Sequence, residues 1–260
     1  MAYKYVVVDR DGPITTITLN RPEVMNALHV DAHFELDEVF NAFAADDSQW
    51  VGIVTGAGER AFSAGNDLKH QAGGGKMGQP PSGFAGLTSR FDLAKPLIAA
   101  VNGVAMGGGF EIALACDLIV AAESAVFALP EPRVGLAALA GGVHRLPRQI
   151  GLKRAMGMIL TGRRVSAREG LELGFVNEVV APGGLMNAAK RWADLIAECS
   201  PMSVRASKQA VMKGLDEPTL ETAIKGQGRY EAVAALFRSE DFIEGPRAFA
   251  ERRPPQWKGK

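Results

Sequence analysis

Cysteine, histidine and net charge are all scarce in this 260-residue chain, and each scarcity removes a class of function. Two cysteines, Cys116 and Cys199, cannot build a disulfide framework, and neither sits in a C-x-x-C pair. Four scattered histidines (His29, His33, His70 and His144) show no metal-ligand spacing, so no metal is expected. Twenty-nine basic residues balance twenty-nine acidic ones, which leaves no overall electrostatic footprint for nucleic acid or an anionic membrane. The longest apolar runs, such as Leu97–Val101, fall far short of the ~20 residues a bilayer requires. The opening M-A-Y-K-Y-V-V-V-D-R lacks the apolar core and cleavage site of a secretion signal. A reducing cytoplasm is therefore the expected location.

What remains is the mix of an ordinary globular protein, 47% hydrophobic and 22% charged. Residues 5–8 and Ile14–Leu19 read as a hairpin around Asp11-Gly12. Leu36, Val39, Phe40 and Phe43 follow the i, i+3, i+4, i+7 spacing of an amphipathic helix. Short apolar strands are predicted at 50–55, Leu97–Val101 and Leu118–Ala122. Between the last two, glycines open an apolar helix. The recurring order strand, glycine turn, helix, strand implies a layered α/β core with parallel pairing. Residues 71–90 are the main break in composition, and a loop this long is a lid, a binding loop or disordered. Ser166 and Glu169 have capping-box spacing before a short helix that Gly174 can end. Residues 185–237 read as helices punctuated by Pro201 and Pro218.

Three familiar patterns fail on inspection. Gly56-Ala-Gly58-Glu-Arg-Ala61 resembles a dinucleotide fingerprint, but Phe62-Ser-Ala-Gly65 interrupts the helix it needs and no acid follows at 74–82. Gly73-Gly-Gly-Lys76 lacks the spacing and trailing Ser or Thr of a P-loop. No G-x-S-x-G elbow is present to anchor a hydrolase triad.

Three other segments carry chemistry: Phe62-Ser-Ala-Gly-Asn-Asp-Leu68, Asn102-Gly-Val-Ala-Met-Gly-Gly-Gly-Phe-Glu111 and Phe127-Ala-Leu-Pro-Glu131. Gly107, Gly108 and Gly109 permit a tight path with amides pointing outward, and the helix that follows adds partial positive charge at its start. Such a place holds an anion or a developing oxyanion, or simply lets a helix pack closely on a strand. Glu111 falls in the first turn of that helix among apolar neighbours. There it is either a tolerated first-turn acid or a buried carboxyl whose pKa is lifted toward neutrality. Glu131 lies between Pro130 and Pro132, which are expected to hold its backbone extended and rigid. Two fixed carboxyls beside an amide-lined anion pocket suit proton transfer next to a carbonyl.

At these segments the chain resembles the enoyl-CoA hydratase/isomerase (crotonase) family, over practically its whole length. The resemblance implies the crotonase fold, an α/β spiral of ββα units over residues 1–195, with a helical oligomerisation region at 196–260 that forms a homotrimer or homohexamer. It implies that the amides of Asn66 and Gly108 form an oxyanion hole for an acyl-CoA thioester carbonyl. Ala64, Asp67, Leu68 and Gly107 would line the substrate and coenzyme A groove, with Lys69 a candidate phosphate contact or a solvated lysine. Glu111 and Glu131 match the two catalytic glutamates of hydratases. Retention of both favours syn hydration and dehydration of a 2-enoyl-CoA in fatty acid metabolism, with no cofactor beyond the thioester substrate. Isomerisation or thioester hydrolysis with one glutamate, and a silent RNA-binding or scaffold role, are the alternatives. Ser82-Gly-Phe-Ala-Gly-Leu-Thr and Ser239-Glu-Asp-Phe-Ile-Glu-Gly-Pro-Arg are similar to the carnitinyl-CoA dehydratase branch of the family. Asn66 and Ala137-Ala-Leu-Ala140 depart from that branch at positions expected to face the acyl group.

Overall fold

The computed structural model describes residues 3–181 and 183–260. The chain opens with strands β1 (Val6–Asp11) and β2 (Ile14–Leu19), paired antiparallel across a two-residue turn at Gly12 and Pro13. Helix α1 (Val30–Ala45) follows, capped by His29, whose Nδ1 accepts the amide of Ala32 at 3.2 Å. Then come β3 (Val51–Gly56), β4 (Ala61–Ser63) and α2 (Leu68–Ala72), and after a long connection β5 (Leu97–Val101), β6 (Val104–Met106) and α3 (Gly108–Ala115). The third unit is β7 (Leu118–Ala122), β8 (Val126–Ala128), α4 (Gly142–Ile150) and α5 (Leu152–Thr161). A short β9 (Val165–Ser166), α6 (Ala167–Leu173) and β10 (Glu178–Val180) lead to α7 (Leu185–Ala197). Helices α8 (Pro201–Gly214), α9 (Leu220–Gly226), α10 (Glu231–Leu236) and α11 (Glu240–Glu251) complete the described residues.

Each repeat gives its first strand to one sheet and its second to another. The larger sheet runs β1-β2-β3-β5-β7-β10, parallel from β2 onward; the smaller runs β4-β6-β8-β9. The recurring unit is therefore strand, strand, helix. The second strands, three residues each, are not legible in the sequence because so short a run carries no periodicity.

Burial on both faces explains why the central strands read as unbroken apolar runs. Alternate residues of a strand point to opposite faces, so Leu97, Ala99 and Val101 join α1 in the main core. Ile98 and Ala100 meet Ala188, Ala189 and Ala193 of α7 on the other side. Helices α8 and α10 build a separate small cluster around Ala206, Tyr230 and Val233. Behind α3, the rings of Phe110, Phe127 and Phe175 pack in a triangle with centres 5.1–5.2 Å apart.

Several local signals hold. Ser166 Oγ accepts the amide of Glu169, and Gly174 ends α6 in the left-handed conformation. The long segment after α2 divides in two. Residues 73–79 are half-buried to exposed, whereas Phe84, Ala85, Leu87 and Thr88 are buried. Glu131 differs from expectation. It begins a 3-10 turn (Glu131–Val134), because Pro130 takes ψ 6° and bends the chain where an extended backbone was expected.

Candidate active site

The site begins where β4 and β6 end. Gly65, at φ +85°, lies so close to the neighbouring turn that a Cβ there would fall 2.6 Å from Met106 O and 2.8 Å from Gly108 N. A Cβ on Gly109 would fall 2.0 Å from Ser63 O. The two turns interlock with no room for side chains, which brings the Gly108 amide against Gly65, the residue before Asn66. Among the described residues, neither the Asn66 amide nor the Gly108 amide donates a hydrogen bond to the protein. Gly108 opens α3, so its amide also carries the partial positive charge of that helix start.

Glu111 lies one helical turn further on, its amide bonded to Gly107 O at 3.0 Å. It is 3% exposed, and its Oε1 accepts the amide of Gly142, the first residue of α4, at 2.8 Å. Burial pushes the Glu111 pKa up to about 7, and the charge of Glu131 adds to the rise. The amides of Gly142 and Ala140 and the guanidinium of Arg145 pull the other way. Glu131 reaches the same spot from the end of β8. Its Oε1 lies 2.9 Å from the position a Cβ on Gly107 would occupy, and its Oε2 is buried without a hydrogen-bond partner. Burial raises its pKa as well. Gly107 thus has one carboxyl against it and the other a single turn away, with the unpaired Gly108 amide next in sequence.

The remaining sequence candidates lie between the end of β4 and the first turn of α2. Ala64 is half-buried and donates to Met25 O at 2.9 Å. Nearby, Pro22, Glu23, Met25, Asn26 and residues 57–61 line a cleft of about 300 Å³. Asp67 caps α2 through the amide of His70 and pairs with Arg21 at 3.0 Å, so its carboxylate is already engaged within the fold. Leu68 and Lys69, at the start of α2, are exposed. Two residues of the glutamate surroundings carry little signal in the sequence: Gly142, which binds Glu111, and Arg145. Their only mark is the Gly141-Gly142-Val-His-Arg145 opening of a helix shortly after Glu131.

Comparison with known proteins defines the class. The enoyl-CoA hydratase/isomerase family model matches residues 9–260, and the chain belongs to that family. Within it, the chain is 46% identical over 255 residues to a carnitinyl-CoA dehydratase of Citrobacter koseri, covering 96% of this chain and 97% of that one. A carnitinyl-CoA dehydratase of Salmonella agona is 45% identical over the same span. Among solved structures, an enoyl-CoA hydratase of Mycobacterium marinum superimposes with a TM-score of 0.91 at 40% identity, over 98% of this chain and 99% of that one. An enoyl-CoA hydratase of Mycobacterium tuberculosis does so with a TM-score of 0.90 at 38% identity and the same coverage. The spiral of two-strand units read from the topology is accordingly the crotonase fold, and the protein is an enzyme of the hydro-lyase type.

Proposed function

We propose that this protein adds water reversibly, and with syn geometry, across the 2,3 double bond of a 2-enoyl-CoA thioester. One observation carries the reading: buried Glu111 and half-buried Glu131 flank the Gly107 turn, where the amides of Asn66 and Gly108 are unengaged. The thioester oxygen accepts the amides of Asn66 and Gly108, which stabilise the enolate; loss of one such donor typically costs about 10²–10³ in rate. Glu111, held by backbone amides that favour its anion and with a pKa near neutral, takes a proton from water as the oxygen attacks C3. Glu131, whose Oε2 has no other partner, delivers a proton to C2. The two proton transfers and the water balance the reaction, so no cofactor is required.

Ala64, Leu68 and Lys69 are assigned to the coenzyme A approach, with the cleft lined by Pro22, Met25 and Gly58 at its adenine end. Asp67 serves that approach by capping α2, and Gly107 by admitting Glu131. Helices α8 to α11 are assigned to homotrimer or homohexamer formation. Leu215, Leu220 and Phe249 lie there 71%, 77% and 87% exposed, apolar surface that assembly would cover. The two unpatterned cysteines support a cytoplasmic enzyme, and the balanced charge supports a small-molecule thioester substrate rather than nucleic acid or membrane partners.

Hydration of crotonyl-CoA, followed by loss of the enoyl thioester's ultraviolet absorbance, tests the reading. Glu111→Gln and Glu131→Gln should each lower kcat by about 10²–10⁴, the usual worth of a general acid or base. Turnover untouched by both substitutions would refute it. The identity to carnitinyl-CoA dehydratases supports a second reading, hydration of crotonobetainyl-CoA. A higher kcat/KM on that thioester than on uncharged enoyl-CoAs would select it.

A further inference from the structure

Arg145 faces Glu111 from α4. Its Nη2 donates to Thr88 O at 2.8 Å, and its guanidinium carbon stands 5.7 Å from the centre of the Phe91 ring. Thr88 Oγ1 in turn accepts the amide of Phe84 at 2.9 Å. The Phe84 ring rests directly on the oxyanion glycine: a Cβ on Gly108 would fall 2.5 Å from it. Further along, Ala85 occupies the left-handed region at φ +56°, a conformation its surroundings must enforce. Its amide is bound by His33 Nδ1 at 3.1 Å, and Arg90 pairs with Asp37 of α1 at 2.6 Å. The segment is thus held to α1 on one side, and to α4 by Arg145 on the other. The helix that carries Arg145 also supplies the Gly142 amide to Glu111.

We propose that Arg145 is a positioning residue for the hydration: it ties the segment over Gly108 to the helix that holds Glu111, and it supplies the cationic group facing Glu111. The inference rests on the hydratase reading for its kinetic consequence only. The charged neighbours are few. Glu111 is faced by Glu131 and by Arg145. Arg145 itself faces Glu111 and Cys116, and burial keeps the Cys116 thiol protonated by raising its pKa. Among the described residues the guanidinium is the cation that opposes burial at Glu111, so its removal should move the carboxyl's titration to higher pH.

The test compares wild type, Arg145→Met and Arg145→Lys by three measurements. NMR titration of the Glu111 side-chain carboxyl should give a higher midpoint in Arg145→Met and a midpoint near wild type in Arg145→Lys. Hydrogen exchange of amides 84–91 should accelerate in both variants, because the compact ammonium of a shorter lysine cannot hold Thr88 O and lie over the Phe91 ring at once. With crotonyl-CoA, kcat should fall about 100-fold in Arg145→Met, the scale of a ~1 Å misplacement, while KM changes less than about threefold. An unchanged Glu111 midpoint together with unchanged exchange at 84–91 overturns the proposal. Those two readouts need no turnover, so an inactive wild type would count against the hydratase reading alone. Should Arg145→Met fail to fold, Arg145→Lys carries the test: slower exchange than wild type, or exchange equal to it, overturns the proposal.

Discussion

Glu111 sits among Phe110, Ile112 and Ala113, and burial lifts its pKa from the ordinary 4.5 to about 7. A carboxyl poised near neutrality is suited to accept and return a proton, and the same shift opposes folding. Because the folded pKa exceeds the unfolded one, the native state binds the extra proton. Stability is therefore lost as pH rises from about 4.5 through 7, by roughly 3 kcal/mol once the carboxyl is ionised. Glu111→Gln, which keeps the shape and the acceptor for Gly142, should melt several degrees higher than wild type at pH 8 and level with it near pH 4. Calorimetric scans at the two pH values check this. Gly109→Ala should act the other way: its methyl would lie 2.0 Å from the Ser63 carbonyl, a rigid backbone atom, so soluble yield and melting temperature should both drop. Glu111, Glu131 and the glycines are legible in the sequence because each breaks its local pattern, an acid in an apolar helix or small residues where a helix should begin. Arg145 is not, since an arginine on an amphipathic helix looks solvated until the segment packed over it is known.

Among the elements, α3 is the one on which the site depends, and its hold on the core is the Phe110 ring set between Phe127 and Phe175. Phe110→Ala should cost about 3–5 kcal/mol, measured by urea unfolding, and any residual folded enzyme should show a reduced kcat. The cap of α6 offers a smaller effect: Ser166→Ala removes the acceptor for the Glu169 amide and should cost about 1 kcal/mol in the same assay. Long elements declare themselves in the amino-acid pattern alone. Strands Leu97–Val101 and Leu118–Ala122 have the boundaries expected, since flanking glycine and charge mark the ends of a buried run. Strands β4, β6 and β8 do not declare themselves, because three residues offer neither alternation nor length. They are nevertheless the strands whose ends deliver Asn66, Gly108 and Glu131, so the sequence displays the chemical groups and hides the frame that gathers them.

For the molecule as a whole, two buried groups give opposite responses to pH. Burial lowers the His33 pKa to about 4, so the stability it confers is complete above pH 6.5 and is lost as pH falls toward 4. Glu111 slopes the other way across nearly the same interval. In Glu111→Gln the histidine slope is no longer offset by Glu111, and unfolding free energy should rise more steeply between pH 4.5 and 6.5 than in wild type. The order of strands in the larger sheet has a different kind of consequence. β7 is flanked by β5, made some twenty residues before it, and by β10, which lies nearly sixty residues after it. Until the ribosome has released Glu178–Val180, the nascent chain must carry β7 with one bare hydrogen-bonding edge, an invitation to mispair with a neighbour. Synthesis through the intervening helices is therefore the interval in which a chaperone would have most to protect.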